Sequence, residues 1–263
     1  MNKSLLAAGS SFTEITYLGH ATLLIEMDGV RLLTDPVLQN RILHLNRLRG
    51  EIDPQNIEDI DAVLISHAHW DHLDIGSLNL LDPDTLFIVP HGVDKILRKN
   101  KFHNIQVLSP CESTTVGGVS ITATQADHDG ARYRYFGDEL AVGYLIDGLS
   151  TIYFAGDTDI YPEMVDMEGK VDVALLPVWG WGPTLGGGHL DPAGAAAAAS
   201  MIQPKVVIPI HWGTYFPLGL QWFMRDVLIQ PPITFKREAA KLAPDVNVII
   251  LPPGESLLLD GGP

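Results

Sequence analysis

Ser66-His67-Ala68-His69-Trp70-Asp71-His72 packs three imidazoles and a carboxylate into six residues. The apolar run Ala62-Val63-Leu64-Ile65 precedes it directly, so the pattern predicts a buried strand that delivers all four groups to one place at its end. Imidazole nitrogen and carboxylate oxygen are ligand types that Zn²⁺ accepts. Crowding them without a cation would leave desolvation and mutual repulsion uncompensated. The expected chemistry is metal binding.

One short motif does not complete two metal shells. The remaining chain offers His128, Asp157, His189 and His211. Three of these follow a predicted strand: 119–124 before His128, 151–155 before Asp157 and 206–210 before His211. Further strands are predicted over 14–18, 22–27, 30–34, 62–65, 86–89, 142–146, 173–176 and 246–251. Helices are predicted over 94–101, 192–202 and 220–228. The second is the best marked: Asp191 suits the N-cap, Pro192 the first helical position, and Pro204 ends it.

The order repeats over two short stretches. Asp28-Gly29 leads through an apolar strand to Asp35, and Asp147-Gly148 leads through another to Asp157. Downstream, Asp61-Ala62-Val63-Leu64 matches Asp172-Val173-Ala174-Leu175. Two halves of one plan, each a sheet with outer helices, give an α/β fold: a four-layer αββα sandwich in a single domain across 1–263. The stretch from Asp35 to Asp61 is 26 residues against 15 from Asp157 to Asp172. The excess contains Arg41, His44, Arg47 and Arg49, and reads either as a solvated loop or as a lid or anion-recognition loop beside the metals.

His67-x-His69-x-Asp71-His72, followed in order by His128, Asp157 and His211, resembles the metallo-β-lactamase superfamily of binuclear metal hydrolases. The resemblance implies one metal on His67, His69 and His128, a second on Asp71, His72 and His211, and Asp157 bridging both. It implies two divalent ions, Zn²⁺ first, Mn²⁺ or Fe²⁺ otherwise, with a metal-bridging hydroxide that cleaves an ester-like bond in a small molecule. The zinc β-lactamases with a thiolate ligand place Cys where this chain has Asp157, and Cys111 lies outside the pattern, so antibiotic hydrolysis is not expected. The flavodiiron oxidoreductases of this fold carry Glu where this chain has His69, which argues against a redox role.

Leu18-Gly19-His20-Ala21-Thr22, Leu33-Thr34-Asp35-Pro36, Ala155-Gly156-Asp157-Thr158 and Gly188-His189-Leu190-Asp191-Pro192 resemble the group containing L-ascorbate-6-phosphate lactonase and the phospholipase D that hydrolyses N-acylphosphatidylethanolamines. A lactone or a phosphodiester is the implied substrate. With Asp71, the imidazoles of His189 and His20 are candidate catalytic groups, donating a hydrogen bond to substrate or a proton to the leaving group. Asp35 is a candidate acceptor that fixes the tautomer of a ligand histidine. Arg132 and Arg134, just after His128, are candidate anion contacts. Trp179 and Trp181, in a Gly-rich loop leading to His189, are candidate pocket walls. Tyr215, Phe216 and Trp222 read as core.

Asp and Glu number 32 against 17 Lys and Arg, a net charge of −15 that repels phosphate backbones and disfavours a nucleic-acid partner. An RNA-processing nuclease is therefore the least favoured alternative, behind a metal-binding sensor or scaffold without turnover. A single Cys excludes an internal disulfide framework. No run approaches the length of a membrane span, and the apolar run near the N-terminus is too short for a signal peptide, so a cytoplasmic protein is expected. Relatives often self-associate, though no patch in the sequence shows a homo-oligomer.

Overall fold

The computed structural model describes residues 12–132 and 138–260. The N-terminal run at 1–9 lies outside them, as does Arg134.

Two seven-stranded sheets form the frame. The first contains β1 (Phe12–Gly19), β2 (Thr22–Met27), β3 (Val30–Thr34), β6 (Ala62–Leu64), β7 (Leu86–Val89), β8 (Ile105–Val107) and β17 (Ser256–Asp260), in the order β17-β1-β2-β3-β6-β7-β8. The second contains β9 (Ser113–Val116), β10 (Val119–Gln125), β11 (Val142–Asp147), β12 (Thr151–Phe154), β13 (Val173–Pro177), β14 (Val206–Ile210) and β16 (Asn247–Val248), in the order β16-β14-β13-β12-β11-β10-β9. The core lies between them, with Tyr17, Leu23, Leu64 and Ile88 meeting Ile121, Tyr144, Phe154 and Leu175. Successive strand residues face opposite ways, so Val63 and Ile65 pack outward under the helices α1 (Ile75–Leu78) and α2 (Val93–Lys99). Ala174 and Leu176 likewise pack under α3 (Pro192–Ile202) and α4 (Arg225–Leu242). That is the expected αββα sandwich.

The doubled plan holds in the pairing. From β17 inward, the first sheet runs through three antiparallel and then three parallel pairs. From β9, the second does the same. The match reaches single hydrogen bonds. Arg31 N donates to the Asp61 carboxylate at 2.8 Å, and Thr151 N donates to the Asp172 carboxylate at 2.8 Å. This pairing makes β1, β3 and β6 point one way, and likewise β10, β12, β13 and β14, so the C-terminal ends of each set gather on one rim.

Three local readings change. The 41–49 segment is no plain loop: β4 (Arg41–Ile42) and β5 (Leu45–Arg47) form a hairpin that pairs with β15 (Tyr215–Pro217) in a small third sheet. The predicted strand over 246–251 contributes only two residues to the ladder. The helix predicted over 220–228 starts at Arg225 and runs 18 residues, through Pro231 and Pro232. Proline inside a helix costs about 3 kcal/mol because it lacks the N–H that would bond four residues back. Burial of Leu228, Pro231, Pro232 and Phe235 offsets that cost. α3 agrees with its caps: Asp191 accepts from Gly194 N, and its buried Ala195, Ala196, Ala198 and Ala199 allow close packing. Its end is set by Gln203 in the left-handed region, one residue before Pro204. Tyr215 and Phe216 are core as expected, whereas Trp222 is 77% exposed, beyond the reach of the third sheet.

Candidate metal centre

The rim collects the candidate groups from six strand ends. His20 follows β1, Asp35 follows β3, and the His67–His72 motif follows β6. His128 follows β10, Asp157 follows β12, and His211 follows β14. His189 comes from the loop between β13 and α3. His20, Asp35 and His211 all have positive φ (61°, 33° and 62°), a conformation that L residues adopt only where the surroundings enforce it.

Two groups form. The potential ligand atoms of His67, His69 and His128 lie within 4.8 Å of one another, and so do those of His20, Asp71, His72 and His211. Asp157 stands between them: its carboxylate is 4.0 Å from His67 Nε2, 3.2 Å from His72 Nε2 and 3.4 Å from His211 Nε2. A further combination joins Asp157 with His128 and His189, whose Nε2 is 3.5 Å from Asp157 Oδ2.

The backs of the imidazoles decide which nitrogen faces inward. A carbonyl can only accept, so His128 Nδ1 donates to Gly188 O at 2.7 Å and His211 Nδ1 donates to Trp179 O at 2.8 Å. His72 Nδ1 donates to the Asp35 carboxylate at 2.7 Å. Ser66 Oγ donates to Asp35 at 2.5 Å and therefore accepts from His67 Nδ1 at 2.9 Å. Four histidines thus turn a lone pair at Nε2 inward. These lone pairs crowd: His72 and His211 Nε2 lie 3.0 Å apart, and His128 Nε2 is 3.2 Å from His69 Nδ1. His67 Nε2 and Asp157 Oδ1 are buried with no hydrogen-bond partner among the described residues. Converging lone pairs and orphaned buried acceptors are what a pair of cations satisfies.

The electrostatics make the same demand. Burial pushes His67 well below the ordinary imidazole range and His128 down to about 4, so both present neutral nitrogen. Burial opposes charge on His72 and His211 as well, but Asp157 and Asp71 outweigh it and raise both. Burial raises Asp71 and Asp157 in turn, yet the surrounding histidines hold both carboxyls well below their usual range. The acidic pair calls for positive charge at the point where the imidazoles converge.

A cleft of about 470 Å³ opens onto the centre. His69, Asp71, Asp157, His189 and His211 form its floor. Its walls come from the β4–β5 hairpin and the 180–186 loop.

The family model for the Beta-lactamase superfamily domain matches residues 30–212. The chain belongs to the metallo-β-lactamase superfamily. It is 33% identical over 250 residues to a UPF0173 metal-dependent hydrolase of Methanopyrus kandleri, an alignment covering 92% of this chain and 98% of the relative. Among solved structures, the fold is similar to Igni18, a metallo hydrolase of the archaeon Ignicoccus hospitalis, with TM-score 0.73 at 23% identity over 94% of this chain and 98% of that one. It is also similar to the isothiocyanate hydrolase of Delia radicum gut bacteria, with TM-score 0.72 at 20% identity over 95% and 100%.

Within this superfamily frame, several sequence expectations move. His20 is 1% exposed and does not reach the cleft. Its Nε2 pairs with Asp71 Oδ2 at 2.8 Å, its ring packs 3.8 Å from that of His211, and burial holds its pKa at about 3. Its contacts are thus with Asp71 and His211, beneath the cleft. His189 does line the cleft. Arg132 does not line the cleft: its guanidinium donates to Ala68 O and Leu73 O at 3.0 Å each and lies 3.7 Å over the Trp70 ring, bracing the motif loop. Trp179 serves through its backbone carbonyl and sits beneath the cleft, while Trp181 forms wall. Ser66 was missed as the link between Asp35 and His67; its place directly before the motif was the available signal. Gly188 closes the Gly-rich loop that leads to His189. Its φ of 76° is what brings its carbonyl to His128, where a Cβ would lie 3.2 Å from Nδ1.

Proposed function

We propose that the chain is a dinuclear metal-dependent hydrolase that cleaves an ester-like bond, lactone or phosphodiester, in a small molecule. The carrying observation is the pair of ligand groups meeting at Asp157 with His67 Nε2 and Asp157 Oδ1 unpartnered. In this reading His67, His69 and His128 hold one divalent ion, Asp71, His72 and His211 hold the other, and Asp157 faces both. Zn²⁺ suits the nitrogen-rich set best, with Mn²⁺ or Fe²⁺ as alternatives. Bound there, the ions supply Lewis acidity and bring the pKa of water near 7.

The chain's own groups do the rest. His189 donates through Nδ1 to Gly187 O at 3.0 Å, which turns Nε2 to the cleft floor, 3.5 Å from Asp157 Oδ2, where it can pass a proton to the leaving oxygen. His20 holds Asp71 Oδ2, the oxygen that also faces His211 Nε2 at 3.5 Å and His72 Nε2 at 3.7 Å, and so fixes that oxygen at the centre. The apolar walls exclude water from the reacting bond.

Asp157→Ala is expected to lose bound metal and turnover together, read by metal analysis and by assays on a homoserine lactone, a sugar-phosphate lactone and bis-p-nitrophenyl phosphate. Full activity in a metal-depleted Asp157→Ala protein overturns the mechanism.

A further inference from the structure

We infer that the substrate carries an uncharged, apolar tail on an acyl ester or lactone, and that Trp181 sets the preference for it. This narrows the hydrolase reading above and rests on it. The first observation is charge. Among the described residues, no Lys or Arg lines the cleft. Three neighbouring arginines among the described residues are engaged with backbone carbonyls. Arg47 donates to the carbonyls of Leu18, Gly50 and Val37 and to Tyr215 Oη, with its guanidinium 4.9 Å over the Tyr215 ring. Arg41 folds back onto Leu43 O at 3.0 Å, and Arg132 braces the motif loop. Among the described residues, a substrate with an anionic group away from the scissile bond meets no cation in the cleft, only the centre itself.

The second observation is the wall. Ile42, Leu43, Leu45, Trp181, Pro183 and Leu185 enclose the space above the floor. Ile42 and Leu45 belong to a small apolar cluster with Val37 and Tyr215, against which Trp70 and Trp181 pack. The wall is therefore backed by rigid core. The third observation is the mouth. His44, at the tip of the β4–β5 hairpin, meets Trp181 of the facing loop edge-on at 5.3 Å between ring centres. The two walls touch there, so the tail is held between the hairpin and the 180–186 loop.

A cleft of about 470 Å³ is in the range that buries most of a small ligand. The reaction it fits is simple. Water oxygen bonds to the acyl carbon, the acyl C–O bond breaks, and a water proton ends on the departing alkoxide, with no change of oxidation state.

The test separates the tail from the chemistry. Alkyl γ-lactams of increasing chain length, which resist hydrolysis, are titrated calorimetrically into the metal-free protein. The expected result is a Kd that falls roughly two- to fourfold per methylene, the transfer value of a buried CH₂, until the cleft is filled. Trp181→Ala is expected to flatten that slope and Trp181→Phe to keep most of it. A Kd independent of chain length in the unsubstituted protein overturns the inference. Metal-loaded enzyme is then assayed on alkyl γ-lactones and p-nitrophenyl alkanoates against bis-p-nitrophenyl phosphate, with kcat/KM expected at least tenfold higher for the long acyl substrates. Preference for the phosphodiester overturns the inference and leaves the hydrolase reading standing. A steep lactam slope with no turnover of either class supports the apolar occupant and overturns the hydrolase reading.

Discussion

Asp35 touches no part of the cleft, yet it orients two of the buried histidines of the centre beneath it. It is fully buried, accepts from His72 Nδ1 directly, and reaches His67 through Ser66 Oγ. A carboxylate can accept from all of these at once; an amide presents a donor at one of the two positions. Asp35→Asn is therefore expected to weaken metal binding about 10- to 100-fold, the usual cost of disturbing a ligand's orienting partner, while the far-ultraviolet circular dichroism is unchanged. Competition with a chromophoric chelator measures it, and an unaltered affinity removes Asp35 from the centre's design. This residue was legible in the sequence because it ends a strand next to a motif of the right kind. His20 was legible only as a histidine near a glycine. That it props Asp71 depends on the end of β1 meeting the loop after β6 on the rim, which no local pattern states.

The elements that carry the site were readable in proportion to how strongly they repeat a period. Strands such as β2, β3, β7 and β14 have their predicted bounds because β-branched and apolar residues dominate them between turns. β4, β5 and β15 have two or three residues each, too few to show a period, and so the hairpin that walls the cleft went unread as structure. The Pro-Pro pair masked α4 because proline normally ends a helix. The structure shows how it continues: Pro232 leaves the Leu228 carbonyl without its helical donor, and that oxygen lies against Gly213. A Cβ at 213 would stand 2.6 Å from it, on a residue whose φ is already 64°. Gly213→Ala should lower stability by about 1–3 kcal/mol, seen as a shifted denaturant midpoint. No shift would mean that the helix gives way without cost and that the close approach is incidental.

Across the whole molecule the two halves agree in pairing and differ in chemistry. Asp61 and Asp172 each tie the start of a parallel strand to its neighbour's backbone, on the side away from the rim. A carboxylate-to-amide bond of this kind contributes about 1 kcal/mol. Asp61→Ala and Asp172→Ala should each cost about that much, with their sum matching the double variant within about 0.5 kcal/mol, since the two bonds share no partner. Guanidinium unfolding of the three proteins measures this; strong coupling would mean that the halves are not built as separate copies. The short sequence match at these aspartates was enough to predict the sandwich, because a repeated strand-and-latch unit leaves few other ways to cover two sheets. It could not foretell that the matched rim positions, Asp35 and Asp157, hold opposite posts. One faces backward onto histidine and serine, and the other faces forward between two groups of imidazoles. Two halves on one pairing plan therefore present matched strand ends on the rim, and the asymmetry of the centre lies in which way the side chains at those ends turn.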